Sequence, residues 1–374
     1  MAIDKVVSAS ITDSSVTSAK VAAGVLQPNF RNIVINGDMQ IAQRGTSSSG
    51  ITSDGYYTVD RFLVENGSFG TWTQSQAADA PTGQGYYNSL KMDCTTAQGS
   101  PSSNSILLVG QSIEGFMLQP IKQGTANAES TTLSFWHKHT KTGTNIVELL
   151  DADNSNAVSG SYTQSVSDTW EKATITFPAN TSGTYDNDNA RSLRIRFIMG
   201  AGTDYTSGTL ATTWQTSITN ANRYAGQVNN ADSTSNNFII TGVQYEVGTA
   251  ASDFEFLPFD VNRFRCFRYY QIWCQGNNKT IGTASMYNST SLRWLDRLDT
   301  PLRTTPTLEK TSGTDYYKFF RDGTAVTFDD ISLNDTYTES TFQVYATVPS
   351  STAGQAGMFR AHNSSTKIAF SAEL

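Results

Sequence analysis

Short segments in which apolar and polar residues alternate run through the centre of this chain. In residues 192–199 the side chains on one parity are apolar, and Arg194 and Arg196 stand between them. Because successive side chains of a β-strand point to opposite faces of a sheet, this pattern predicts strands with one buried face. Short strands without helices between them predict an all-β fold, here an antiparallel two-sheet jelly-roll sandwich. The other strand candidates are 60–65, 70–75, 89–95, 105–112, 131–140, 145–151, 170–177 and 237–247.

Chain length and the weaker patterns divide the sequence into three parts. At 374 residues the chain is too long for one ordinary core. We predict an N-terminal segment at 1–30, a jelly roll at 31–262 and a smaller β-rich C-terminal domain at 263–374. The C-terminal domain has few large apolar residues per strand, which predicts a thin core completed by self-association. Its strands are predicted at 316–320, 325–328, 340–348 and 367–373.

Residues 1–30 differ from the rest because single aliphatic residues stand among small polar ones. Ile11, Val16 and Val21 recur at equal spacing. Such a segment cannot bury enough surface to fold alone, but it can be ordered in a groove or by winding with copies of itself. A disordered tail is the alternative interpretation.

Charge and hydropathy argue against two classes of partner. The chain has 26 basic and 33 acidic side chains, a formal net charge of −7, and no extended basic cluster. We therefore expect no nucleic-acid partner. No run of about 18 apolar residues is present, which predicts no membrane insertion. The first residues lack the order of a secretory signal, which predicts assembly in a cytoplasm.

The sequence offers few residues for metal binding or redox chemistry. Cys94, Cys266 and Cys274 give an odd count and are expected to be free, buried thiols. His137 and His139 share one face of a predicted strand. Two interpretations stay open for this pair: half of a metal site, or a solvated or ligand-facing strand. We expect no cofactor.

Catalytic motifs are equally scarce. The candidate carboxylates for glycoside hydrolysis are Asp151, Asp153, Asp329 and Asp330, and all four lie in turn-like contexts. The chain has no Gly-x-Ser-x-Gly elbow and no phosphate-binding loop. It is therefore predicted not to be an enzyme.

Two strands carry residues suited to binding sugars. Aromatic rings stack on sugar rings, and charged groups bond their hydroxyls. Trp136 and Lys138 lie at non-core positions of one strand, and Arg194 and Arg196 at those of another. If these strands are neighbours, the four side chains face one concave surface. The alternative is that Trp136 packs beneath another layer or at a subunit contact.

The polar insertion at 200–236 adds further aromatic candidates. Loops of this length are usually functional or packed on themselves. Tyr205 and Trp214 either contact ligand or join Tyr224 in an aromatic cluster that holds the loop in place. The carbohydrate-binding candidates are thus Trp136, Lys138, Arg194, Arg196, Tyr205 and Trp214.

Several segments resemble tail-fibre and related structural proteins of bacteriophages. In that family such segments open and close a jelly-roll domain that is similar to carbohydrate-binding modules. The resemblance extends over nearly the whole chain, but it does not indicate which ligand is bound. The segments are 36–45, 57–61, 238–248, 254–258, 304–307 and 368–374.

The resemblance implies a non-catalytic virion structural protein, a homotrimeric tail fibre or spike that binds host-surface glycan or a receptor. It implies that residues 1–30 contact other virion proteins, and that the protein resides in the virion after assembly in the host cytoplasm. A structural calcium ion at the loops is compatible with a jelly roll, although the sequence identifies no oxygen ligands for it. Two other functions stay open. One is a capsid decoration or head-fibre protein, and the other is a polysaccharide depolymerase, disfavoured because no parallel β-helix repeat is present.

Overall fold

The computed structural model describes residues 30–334, 337–349 and 351–374. Apart from Phe30, the predicted N-terminal segment, with Ile11, Val16 and Val21, lies outside these residues. The strand pairs are antiparallel throughout the described chain, which confirms the predicted fold class. In the same residues no helix is long and apolar enough to cross a membrane.

Two six-stranded sheets form the jelly roll. The strand Asn156–Gln164 was not predicted, because Ser and Gly interrupt its apolar positions. In hydrogen-bonded order, sheet A contains β1 (Ser47–Ile51), β4 (Thr71–Ala77), β5 (Ser89–Thr96), β12 (Asn237–Val247), β7 (Thr131–His139) and β10 (Glu171–Phe177). Sheet B contains β2 (Gly55–Tyr56), β3 (Leu63–Asn66), β6 (Ile106–Glu114), β11 (Arg191–Ala201), β8 (Gly143–Asp151) and β9 (Asn156–Gln164).

The jelly-roll core lies between sheets A and B. The inner face of β11 contributes Leu193, Ile195 and Phe197, as the alternation predicts. The ring of Phe197 lies 5.0 Å from the ring of Phe135 on β7, measured between ring centres, so this pair joins the two sheets. Fully burying an apolar side chain of this size contributes roughly 1.5–3 kcal/mol to stability.

A long connection covers the outer face of sheet B. It runs between β11 and β12 and includes the short helix α1 (Thr203–Thr206). Tyr224 in this connection packs with Ile146 of β8 and Ile198 of β11 in a second apolar cluster. Part of sheet B is therefore buried on both faces, although β11 alternates like a strand with one solvated face.

Strand β12 also differs from the predicted half-buried pattern. Its residues from Phe238 to Glu246 are buried on both faces. Thr241 donates a hydrogen bond to the carbonyl of Asn88, and Gln244 donates one to the hydroxyl of Ser252. Chain segments before and after β12 thus cover its outer face, so its polar residues bond to protein rather than to water.

The C-terminal domain contains two further sheets with their own core. That core includes Trp294, Phe342, Phe359 and Phe370. The prediction of a thin core is therefore wrong, because two aromatic residues lie on strands that the alternation did not reveal. The three-stranded sheet contains β13 (Tyr270–Gln275), β22 (Lys367–Ser371) and β16 (Thr307–Lys310). The seven-stranded sheet contains β18 (Thr324–Phe328), β17 (Tyr317–Arg321), β21 (Ala356–Ala361), β14 (Thr280–Met286), β15 (Ser291–Arg297), β20 (Thr341–Thr347) and β19 (Ser332–Leu333).

Helix α2 (Phe259–Phe267) links the jelly roll to the C-terminal domain. The predicted boundary after residue 262 falls inside this helix. Its buried Cys266, together with Tyr269, packs in one cluster with Ile35 of the jelly roll. The segment that follows the sandwich therefore packs at the domain junction.

The end of the chain returns to the jelly roll and is held there by ion pairs. Arg44 Nη1 lies 3.2 Å from a carboxylate oxygen of Glu373, and Arg61 pairs with the other oxygen. The guanidinium carbon of Arg61 lies 3.4 Å from the ring centre of Tyr269, a cation–π contact. Three of the segments that carry the phage-fibre resemblance thus meet at the domain junction.

Candidate functional site

Trp136 and Lys138 lie on the outer face of sheet A. On β7 the side chains of Phe135 and His137 face the core, so the two residues that alternate with them face outward and are half-buried. The next strand, β10, places Lys172 opposite Trp136. The predicted non-core parity of Trp136 and Lys138 is confirmed.

Asp79 ties Lys138 to a second tryptophan. Its carboxylate accepts a hydrogen bond of 3.0 Å from Lys138 Nζ and one of 3.1 Å from Trp170 Nε1. Burial raises the pKa of the Asp79 carboxyl, but these two bonds outweigh it and hold that pKa below its ordinary value. Burial lowers the pKa of Lys138, but the bond to Asp79 outweighs it and raises that pKa. Both groups are therefore charged at neutral pH.

Tyr86 packs against Trp136 from the connection between β4 and β5. Burial raises the pKa of the Tyr86 hydroxyl, and the neighbouring Trp136 side chain opposes that rise. The Tyr86 ring also lies 5.2 Å from the ring of Phe254 and 5.1 Å from that of Phe256, between ring centres. Gly242 allows this approach, because a Cβ there would lie 2.7 Å from the Tyr86 hydroxyl oxygen. We call the following five residues the Trp136 patch: Asp79, Tyr86, Trp136, Lys138 and Trp170.

The Trp136 patch combines the groups that bind saccharides. Indole and phenol rings offer apolar faces to the C–H groups of a sugar ring. The carboxylate of Asp79 accepts hydrogen bonds from sugar hydroxyls, and the ammonium of Lys138 donates them. Asp168 lies at the rim, 3.4 Å from Lys138 Nζ. Two carboxylates beside one ammonium leave a negative charge that disfavours anionic ligands, so the patch suits an uncharged polyhydroxylated ligand.

Arg194 and Arg196 do not join the Trp136 patch. They lie on β11 in sheet B, whereas Trp136 lies on β7 in sheet A, so the strands are not neighbours and the four side chains do not face one surface. Arg196 is 6% exposed, and its guanidinium lies 3.0 Å from Glu148 and 2.7 Å from Glu65. Arg194 pairs with Glu65 as well. The solvent-facing position predicted for Arg196 is therefore wrong, because the connection between β11 and β12 covers it.

Tyr205 and Trp214 hold that connection in place. The ring of Tyr205 lies 5.6 Å from the ring of Tyr224, between centres. Trp214 donates a 2.8 Å hydrogen bond from Nε1 to the carbonyl of Pro178 and packs against the jelly-roll core. Both sets of contacts favour the structural interpretation of these two aromatic residues.

His137 and His139 lie inside the jelly-roll core. His137 Nδ1 is 2.8 Å from Gln164 Oε1, and His139 Nε2 is 3.0 Å from the hydroxyl of Tyr162. Burial lowers the pKa of both imidazoles. The solvated or ligand-facing interpretation of this pair is therefore wrong. Among the described residues, no group of three His, Cys, Asp or Glu side chains is placed to hold a metal ion.

The cysteines follow the prediction, since Cys94, Cys266 and Cys274 are free and buried. By contrast, sequence reasoning missed Asp79, Tyr86 and Trp170. The last of these had a usable signal, because it shares the outward parity of Lys172 on the predicted strand. Asp79 and Tyr86 lie in a connection between strands, where alternation makes no prediction.

Comparison with known proteins finds only weak similarities, and all of them are to solved structures. No protein-family model matches the chain, and no curated protein matches it. An enzymatically active domain of tailspike protein 4 from bacteriophage CBA120 is similar at 16% identity and a TM-score of 0.30, over 58% of this chain and 22% of that chain. The chain thus corresponds to less than a quarter of that tailspike structure.

Two other similar structures are matched over their whole length. One is a putative sugar-binding protein from Bacteroides thetaiotaomicron, with 12% identity and a TM-score of 0.33, covering 58% of this chain and 100% of that chain. The other is the family 22 carbohydrate-binding module of Xyn10B from Clostridium thermocellum, with 10% identity and a TM-score of 0.29, covering 56% and 100%. Alignments this loose establish neither a shared ligand nor a shared activity.

Proposed function

We propose that this chain is a non-catalytic virion protein of a bacteriophage, a tail fibre or spike that binds host-surface glycan through the Trp136 patch. One observation carries the binding role: outward-facing Trp136 and Trp170 flank an Asp79–Lys138 ion pair on a sheet face. Rigid aromatic rings beside charged hydrogen-bonding groups are the usual construction of sugar sites. The virion role is supported by the phage-fibre resemblance of the segments that form the domain junction.

A glycan-binding test follows from the two tryptophans. We expect Trp136→Ala and Trp170→Ala each to weaken binding to a printed array of bacterial surface glycans by about 1–3 kcal/mol, by analogy with bases stacked on aromatic side chains. Because both side chains are half-buried at the surface, the melting temperature should change little. Phe116→Ala is the matched control, since this exposed aromatic lies outside the patch and its loss should leave binding intact.

Two results would count against the Trp136 patch. The first is unchanged array binding in both tryptophan variants. The second is a large fall in melting temperature for Trp136→Ala, since truncating a fully packed Trp typically costs about 3–5 kcal/mol, together with intact binding. If the tryptophan variants still bind glycan, the glycan site lies elsewhere on the protein.

The proposed fibre is a homotrimer with contacts in residues 1–30 and 260–374. Large exposed aromatic side chains support self-association there: Phe259 and Phe264 are exposed on α2, and Phe30 is exposed at the start of the described chain. We expect mass photometry of the full chain at micromolar concentration to give three times the mass of 40.7 kDa. A single monomer peak at that concentration would rule out the trimer.

A tail fibre and a capsid decoration protein occupy different positions on the virion. A decoration or head-fibre protein would occupy many sites on the shell, whereas a tail fibre or spike occupies a few sites on the tail. Labelling intact virions with an antibody against the C-terminal domain separates these outcomes by electron microscopy. Label on the shell alone would overturn the tail assignment without bearing on the Trp136 patch.

A further inference from the structure

The two edges of the seven-stranded sheet meet at a cleft in the C-terminal domain. β18 and β19 are the edge strands, and only residues 329–331 connect them. So short a connection keeps the two edges together and forces the sheet to curl. An open cleft of about 430 Å³ remains between the end of β18 and the end of β20. This volume falls within the range of ligand sites in proteins, roughly 300–1,000 Å³.

Tyr345 supplies an aromatic wall to this cleft. It lies on β20 opposite Ser332 of β19, and it is 41% exposed. Its neighbours Val344 and Ala346 are buried in the domain core. The strand that carries the ring is therefore anchored on its inner face, so the ring is held in position as a stacking surface.

Hydrogen-bonding groups with spare capacity line the cleft. Asp329 Oδ1 accepts a 2.9 Å hydrogen bond from the backbone of Asp315, and Asp330 Oδ1 lies 2.6 Å from Lys310 Nζ. The other carboxylate oxygen of each residue has no hydrogen-bond partner within residues 30–334, 337–349 and 351–374. The same holds in those residues for the hydroxyls of Ser332 and Thr347.

The charge of the cleft restricts its ligand. Asp329 and Asp330 bring two carboxylates, and Lys310 balances one of them. The remaining negative charge repels anionic ligands, while unpaired carboxylate oxygens accept hydrogen bonds from hydroxyl groups. A sugar ring has both features that match, a C–H face for Tyr345 and hydroxyls for the carboxylates.

We propose that this cleft binds a neutral saccharide unit, stacked on Tyr345 and hydrogen-bonded to Asp329 and Asp330. The site goes beyond the proposed function, because it lies in the other domain and does not depend on the Trp136 patch. It would give each chain two separate contacts with a glycan surface. Two linked weak contacts bind a surface more tightly than either alone.

Saturation-transfer difference NMR on the full chain tests the proposal. The probes are D-glucose, D-galactose and N-acetyl-D-glucosamine, with N-acetylneuraminic acid as the anionic comparison. We expect at least one neutral sugar to bind, and Tyr345→Ala to weaken that binding about tenfold. Thr347→Val, a nearly isosteric change that removes one hydroxyl, should weaken it as well. Tyr287→Ala is the matched control, because this tyrosine is 68% exposed in the same domain but does not line the cleft.

Three results would overturn the cleft as a saccharide site. They are no binding of any neutral sugar, equal binding by Tyr345→Ala and the unaltered protein, and binding of the anionic sugar alone. A double variant, Trp136→Ala with Trp170→Ala, separates this inference from the proposed function. If that variant loses array binding but keeps the Tyr345-dependent signal, both sites stand. If it keeps array binding and adding Tyr345→Ala then abolishes that binding, the cleft stands and the Trp136 patch fails.

Discussion

Glu148→Ala is expected to lower the free energy of unfolding of the jelly roll by about 3–5 kcal/mol, the cost of breaking a buried ion pair. Glu148 is fully buried at 0% exposure. Its carboxylate accepts hydrogen bonds from Arg223 Nε at 2.6 Å, from Arg196 Nη1 at 3.0 Å and from the Tyr224 hydroxyl at 3.0 Å. Removing it leaves two largely buried guanidinium groups without their main counter-charge.

The pH dependence of this site has a definite sign. Burial raises the pKa of the Glu148 carboxyl, but Arg223 and Arg196 outweigh it and hold that pKa below its ordinary value of 4.5. A carboxyl with a depressed pKa stabilises the fold fully above its unfolded pKa, and this stabilisation is lost as pH falls through the folded pKa. Acid unfolding of the unaltered protein below about pH 4.5 should therefore include protonation of Glu148.

Urea unfolding followed by fluorescence measures the effect. Glu129→Ala is the matched control, because Glu129 pairs with Lys122 at the surface and exposed pairs contribute at most about 1 kcal/mol. A loss of under about 1 kcal/mol for Glu148→Ala would show that the site relaxes or admits water. In that case the connection between β11 and β12 would not be held by this carboxylate.

Arg61→Ala is expected to separate the unfolding of the two domains. Arg61 is 1% exposed, pairs with Glu373, donates a 2.8 Å hydrogen bond to the carbonyl of Ser112 and stacks on Tyr269. Its loss leaves the Glu373 carboxylate with Arg44 as its remaining close cation and empties the space beneath Tyr269. We expect a loss of about 3–5 kcal/mol and two thermal transitions in place of one.

Differential scanning calorimetry distinguishes coupled from independent domains. Glu373→Ala should reproduce much of the Arg61→Ala effect, and the double variant should cost less than the sum of the two, since both remove the same interaction. Arg191→Ala provides the control, because Arg191 is an exposed arginine on β11. A single transition with an unchanged midpoint in Arg61→Ala would show that the ion pair does not couple the domains.

The residues that carry the phage-fibre resemblance perform structural tasks. Asn36 accepts a hydrogen bond from the backbone of Ile41 and donates to the carbonyl of Asp60. Arg44 and Arg61 hold Glu373, and Gly242 makes room for Tyr86. These residues build the domain junction and the scaffold. Their similarity to fibre proteins therefore predicts the architecture but not the ligand.

Side-chain parity was predictable from the sequence because it is a local property. Alternation placed Trp136 and Lys138 outward and Phe197 inward, and the structure agrees. Most jelly-roll strands follow from the same rule. The rule weakened for β9 and for several strands of the C-terminal domain, where small residues or scattered aromatics obscure the period of two.

Only the tertiary structure decided which outward side chains remain available to a ligand. Arg196 has outward parity like Trp136, yet the connection between β11 and β12 buries it beside Glu148. Asp79 reaches Lys138 from 59 positions away in the chain, through a loop without any periodic pattern. Parity depends on the geometry of one strand, whereas burial and ion pairing depend on which distant segment packs above that strand. The sequence by itself therefore determined the side-chain parity of most jelly-roll strands, and long-range packing determined the assignment of strands to sheets and the site.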